Sequence, residues 1–229
     1  MTALRRAPRA PSSGAADASP ALRAIVVAGT VLAILALAIL PLLTPAFTHP
    51  AHELARSAER LRLEQAEALA LSDRSIEELL LGPGTFTLVG PDGADFYDDS
   101  ERGHLRDARL LLWACLLAGL GSALAIAVAI ARSRDRARVS LWLAVAQGGG
   151  LATIGVTVLG AVAAVAFASL FTIFHQVFFP GGGWAFDPAT QRLVQLYPFE
   201  FWRIAAAALG ILVALLGLGA WLVGRRAAA

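Results

Sequence analysis

Four imidazoles, His49, His52, His104 and His175, are the side chains of this sequence best placed to move protons near neutral pH. His104 lies in the run Glu101-Arg102-Gly103-His104-Leu105-Arg106-Asp107. On a helix, His104 and Asp107 are three apart and share a face, and a neighbouring carboxylate can orient an imidazole and raise its basicity. His175 lies in Phe171-Thr172-Ile173-Phe174-His175-Gln176-Val177-Phe178-Phe179-Pro180. A polar ring set in such an apolar wall needs a reason to be there. Two imidazoles on separate helices form a general acid–base pair if they converge, one taking a proton while the other gives one. The alternative is that each only anchors a helix end at the membrane interface. That alternative is preferred for His49 and His52, which lie in a Pro-rich stretch.

Other chemistries find little support. The four histidines match no ligand spacing such as His-Glu-x-x-His, so no metal site is expected, and no cofactor. The single Cys115 sits inside an apolar run, which excludes an internal disulfide and any zinc site built from several cysteines. There is no G-x-S-x-G elbow, P-loop or dinucleotide fingerprint. Gly148–Gly150 and Gly181–Gly183 read as flexible or close-packing elements.

The elements that must position these groups are membrane helices. Of the 229 residues, 57% are hydrophobic, above the roughly 45–50% of soluble domains, and the excess falls in blocks. Residues 24–43, 110–131, 141–174 and 204–223 are uncharged runs, each meeting the roughly 20 apolar residues that a bilayer core requires. The third run would span about 50 Å as one helix. The Gln147-Gly148-Gly149-Gly150 patch is expected to divide it, with the span over 150–175 and residues 139–147 as an interfacial approach. The first run is expected to be an uncleaved signal anchor. No charge lies within a span, which argues against a transporter or channel.

Arginines set the orientation. Arg5, Arg6, Arg9 and Arg23 precede the first run, Arg132, Arg134, Arg136 and Arg138 separate the second from the third, and Arg225 and Arg226 follow the fourth. Residues 46–107 carry thirteen acidic residues and six arginines. The fold expected is therefore an all-α membrane protein. Four transmembrane helices carry a small, mainly helical extracytoplasmic cap between helices 1 and 2, and both termini are cytoplasmic. The expected segments are a disordered tail (1–20), helix 1 (24–45), the cap (46–106), helix 2 (107–131), an Arg-rich cytoplasmic loop (132–139) and helix 3 with an interfacial start (140–175). An aromatic outer loop (176–202), helix 4 (203–224) and a cytoplasmic tail (225–229) follow.

Within the cap, residues 50–71 read as helix, and Ser75-Ile76-Glu77-Glu78 as a capping box opening a second short helix. Gly82-Pro83-Gly84 stops it, residues 85–89 form a weak strand, and Gly90-Pro91-Asp92-Gly93 a turn. The cap is small for an independent domain and is expected to pack on the other outer segments. Aromatic residues crowd the outer side around the third and fourth helices. An aromatic belt explains part of this. The scarcity of aromatics at the opposite end points further, to a walled chamber with few polar groups, a common form of ligand site.

These motifs resemble those of the lipoprotein intramolecular transacylases. The resemblance rests on Glu101-x-x-His104-x-x-Asp107 opening the second helix and on Phe174-His175-x-x-Phe178-Phe179-Pro180-Gly181 ending the third. It rests also on Trp184-Ala185-Phe186-Asp187-Pro188, Leu193-Val194-Gln195-Leu196-Tyr197-Pro198 and Glu200-Phe201-Trp202 in the last outer loop. Ala108 and Gln191 depart from the family's usual residues. The resemblance implies a bacterial cell-membrane acyltransferase. It would move the sn-2 acyl chain of a diacylated lipoprotein to the α-amine of that lipoprotein's N-terminal Cys. His104 and His175 would be the acid–base pair, and Asp107 the orienting partner. Phe174, Phe178, Phe179, Trp184, Phe186 and Tyr197 would wall the substrate. Its partners would be the bilayer and the lipoprotein, not nucleic acid. The competing expectation is a non-catalytic integral membrane protein that binds or assembles an envelope component through its cap.

Overall fold

The computed structural model describes residues 17–229, which leaves nearly all of the 1–20 tail outside the described residues. Among the described residues, four helices are long and apolar enough to cross a membrane. They are α1 (Pro20–Ile39, continued by a 3₁₀ turn to Leu43), α5 (Asp99–Arg132), α6 (Asp135–Phe178) and α8 (Phe199–Ala227). The cap contributes α2 (Pro45–Ala55), α3 (Ser57–Leu61) and α4 (Gln65–Leu80), and the last loop contributes α7 (Arg192–Leu196). The chain is an all-α, multi-pass membrane protein, as its hydropathy pattern requires.

Two expectations about helix boundaries fail for identifiable reasons. The third apolar run is not divided at its glycines: α6 is one helix through Gly148 and Gly149. Glycine serves here to let neighbouring helices close in. A Cβ on Gly148 would lie 2.6 Å from the Thr30 side chain and 2.7 Å from the Val27 carbonyl of α1, and one on Gly149 would lie 2.5 Å from the Gly217 carbonyl of α8. Residues 139–147 are accordingly part of the bundle, with Leu141 and Ala144 buried against Val26. The break in α6 falls instead at Ala166 (φ −137°, ψ 34°), which re-aims the final turns carrying Phe171, Phe174 and His175.

In the cap, the 50–71 helix is interrupted at Arg56 and Arg62, both left-handed (φ 56° and 57°), which folds the segment back into α2, α3 and α4. Ser75 does not open a helix; it lies inside α4, whose N-terminus is a capping box of Glu64 and Glu67. The Ser75 hydroxyl reaches back to the Leu71 carbonyl (2.7 Å), so its own sequence signal is spent within the helix. Residues 85–89 form no named strand, only a bridge between Val89 and Asp95 around the expected turn, closed by Gly93 N–H donating to the Gly90 carbonyl (3.0 Å).

The cap has no core of its own. Leu61, Leu71, Phe86, Leu88, Phe96 and Tyr97 share one buried cluster with Leu193, Leu196, Tyr197 and Phe201 from α7 and α8. Polar ties reinforce it. Arg60 pairs with Glu200 (2.8 Å). The C-terminal carbonyls of α4, at Glu78 and Leu79, accept from Arg109 and Trp113 of α5, which meets the hydrogen-bond need of that helix end.

Candidate active site

Glu101, 1% exposed, fixes the start of α5 and thus the height of His104. Its carboxylate accepts from the Asp98 N–H (2.7 Å), while Asp98 accepts from the Glu101 N–H (2.9 Å), a reciprocal capping box. The other Glu101 oxygen accepts from the Leu193 N–H at the start of α7 (2.6 Å). One buried carboxylate therefore sets His104 and the last outer loop in a common register. Gln191 strengthens this seam by donating to Asp98 (3.0 Å).

The expected pair converges. The His104 and His175 rings face one another at 5.8 Å between centroids, 26° from parallel. His175 is 8% exposed, and its Nδ1 lies 2.8 Å from the Phe171 carbonyl one turn earlier. A carbonyl only accepts, so Nδ1 is the protonated nitrogen of the neutral ring and Nε2 carries the lone pair. His104 has no hydrogen-bond partner among the described residues and is held by aromatic faces. Phe179 lies 4.7 Å and Phe186 5.5 Å from it. Around His175 stand Phe171 at 4.2 Å, Trp184 at 4.9 Å and Phe174 at 5.3 Å.

Of the residues expected to wall a substrate, Phe174, Phe179, Trp184 and Phe186 lie against the two imidazoles, and two do not. Phe178 touches Phe174 (4.9 Å) but is half exposed and stands outside the inner ring. Tyr197 is absent from the chamber. It is buried in the cap core, its hydroxyl 3.2 Å from Ser72 Oγ. Asp107 is exposed and makes no hydrogen bond with His104, so the expected orienting contact is not made. Phe171, part of the aromatic cluster in the sequence but not of the expected wall, both packs on His175 and fixes its tautomer.

The other histidines lie elsewhere. His49 pairs with Asp73 (2.9 Å). His52 is fully buried, bonded through Nδ1 to Ser57 Oγ (3.0 Å) and through Nε2 to Ser72 Oγ (2.7 Å), and stacked on Phe201 at 4.6 Å. Burial holds its pKa down at about 4. The same burial raises Tyr97 well above its usual range and Tyr197 to about 12, so both phenols stay neutral. Among the described residues no three His, Cys, Asp or Glu gather as a metal site.

The geometry agrees with the wider comparison. The structure of the membrane integral lipoprotein intramolecular transacylase Lit from Bacillus cereus matches at 17% identity and a TM-score of 0.75, covering 90% of this chain and 94% of that one. Two variants of the same protein, with one histidine replaced by arginine or by alanine, match at 17% identity with TM-scores of 0.63 and 0.62, covering 90% of this chain and 90% and 91% of theirs. No curated protein matches. At this identity the likeness establishes a common fold. The family model described as lipoprotein intramolecular transacylase Lit matches residues 26–202, from the first helix through the aromatic loop. The chain belongs to the lipoprotein intramolecular transacylase family, Lit.

Proposed function

We propose that this membrane transacylase works through His175 as general base and His104 as general acid. The substrate is a diacylated lipoprotein, whose sn-2 acyl chain passes to the α-amine of its own N-terminal Cys. The observation that carries this reading is the facing pair of imidazoles in an aromatic enclosure, with Nδ1 of His175 committed to the Phe171 carbonyl. That commitment leaves Nε2 to take the proton as the amine attacks the ester carbonyl. The tetrahedral intermediate then collapses, the C–O bond to the glyceryl oxygen breaks, and His104 passes a proton to the leaving oxygen and regains one from the protonated His175, so that the proton lost by the amine ends on the glyceryl hydroxyl. The aromatic wall confines amine and ester together, a proximity effect. No acyl-enzyme intermediate is required. In this reading the cap and chamber are extracytoplasmic and the Arg-rich termini and loop cytoplasmic, as the arginine bias supports.

The test is expression in a strain lacking the family enzyme, with mass spectrometry of a reporter lipoprotein's N-terminus. The unsubstituted protein yields the N-acylated lyso form. His104→Ala and His175→Ala each lower its formation by about 100-fold or more. Folded His variants that retain full product would overturn the catalytic assignment and favour a binding or assembly role.

A further inference from the structure

At the end of the bundle away from the cap, a groove of about 710 Å³ runs between α1 and α6. Its wall is almost wholly apolar, built from Ala24, Val27, Ala28, Val31, Leu32 and Leu151. Two polar side chains interrupt it. Arg23 lies at its mouth, and its Nε is shielded from solvent without a hydrogen-bond partner among the described residues. Its guanidinium joins no ion pair among them either, and no carboxylate lines the groove. A shielded, unpaired guanidinium donor is costly, and most such groups in folded proteins have a partner. Gln147 is the second polar residue, on an exposed face of a membrane helix and likewise without a hydrogen-bond partner among the described residues. Gly148, its neighbour in the chain, abuts Val27 and Thr30, so Gln147 lies about one helical turn deeper than Arg23.

We propose that this groove seats an anionic glycerophospholipid of the leaflet opposite the cap. The phosphate meets Arg23, one acyl chain follows α1 from Ala24 to Leu32, and the Gln147 amide donates to an ester carbonyl. Dimensions and charge both favour this occupant. From Pro20 to Leu32, α1 rises about 18 Å, close to the roughly 15 Å of hydrocarbon in one leaflet. In a phospholipid the ester carbonyls lie deeper than the phosphate, the same order in which the groove offers amide and guanidinium. The Arg23 guanidinium, which lines the groove with no carboxylate beside it, provides charge-assisted donors for a phosphate. A neutral lipid would fill the apolar wall and leave that cation unanswered. The site does not depend on the chemistry at His104 and His175.

Native mass spectrometry of the full-length protein tests this, with phosphatidylglycerol and phosphatidylcholine of identical chains as probes. The protein is expected to retain phosphatidylglycerol preferentially. Arg23→Gln should weaken that retention about tenfold, Arg23→Lys should restore most of it, and Gln147→Leu should weaken it less. Ala28→Trp keeps the charge but fills the groove, and should release the lipid if Arg23→Gln fails to fold. Equal retention of the two lipids, or phosphatidylglycerol held undiminished by folded Arg23→Gln or Ala28→Trp, would overturn the proposal. So would a dimer whose interface occupies the groove.

Discussion

His104 stands among charged residues in the sequence and His175 among apolar ones, and the structure gives them equally different situations. His175 is tied through one nitrogen to its own helix; His104 is held only by ring faces. That inequality is the source of their proposed division into base and acid. The walls differ in the same way. Phe179 packs on His104, whereas Tyr197 belongs to the cap core. Phe179→Ala is therefore expected to lower transacylation about tenfold to a hundredfold, because a loosened chamber no longer holds amine and ester in line. Tyr197→Phe removes a hydroxyl from the Ser72 network and should cost about 1 kcal/mol of stability, with activity little changed. Thermal unfolding and product analysis of both variants read these effects, and a Tyr197→Phe protein that is stable but inactive would place the phenol back in the site. The two catalytic candidates were legible because imidazole is rare in this chain, with His104 in the charged approach to the second apolar run and His175 at the end of the third. The position of Tyr197 was not. It adjoins the aromatic loop in sequence, and the packing of α7 on α3, with the Tyr197 hydroxyl held at Ser72 of α4, turns it away.

At the scale of elements, the site depends on how α5 begins. The Asp98-x-x-Glu101 pattern is a capping box visible in the sequence, but the third partner, the Leu193 N–H, lies 92 residues further on and could not be read from it. Glu101→Ala strips both the cap and the α7 anchor. It should cost about 2–4 kcal/mol and lower activity even at temperatures where the protein stays folded, since His104 and the loop would lose their shared register. Activity matching the unsubstituted protein in the folded variant would show that the anchor does not position His104. The glycines of α6 teach the complementary lesson. In sequence Gly148-Gly149 reads as a break, because glycine is a poor helix former in isolation. In a bilayer it marks where helices come closest. Gly149→Val would drive a side chain into the Gly217 carbonyl and is expected to separate α6 from α8, costing about 3 kcal/mol or more. An undiminished unfolding temperature in detergent would contradict that.

For the molecule as a whole, span number and helical class followed directly from the placement of apolar runs. The cap's internal turns did not, because the left-handed residues that shape it, Arg56 and Arg62, carry no glycine or asparagine signal. What joins cap to bundle is a buried polar knot centred on His52, with Ser57, Ser72 and Tyr197 around it and the His49–Asp73 pair at its edge. Its pH behaviour follows from linkage. The folded His52 stays neutral down to about 4, whereas an unfolded histidine takes up its proton near 6.5. Below pH 6.5 the unfolded chain binds the additional proton, so stability falls as pH drops from 6.5 toward 4. The loss should approach about 3 kcal/mol at the lower end. His52→Gln should lessen the fall of the unfolding temperature across that window, and a slope unaltered by the substitution would assign the acid sensitivity to other groups.

The shared core of cap and last loop also fixes when the enzyme can come into being. As the chain leaves the ribosome, the segment bearing His104 precedes by about ninety residues the Leu193–Phe201 stretch that completes its surroundings. Until that stretch emerges, the cluster around Leu61, Phe86 and Tyr97 lacks one of its sides, and the nascent cap remains open to proteases. Activity is thus acquired late in synthesis, and a ribosome that stalls before the fourth helix releases an inert product with its most apolar surfaces uncovered.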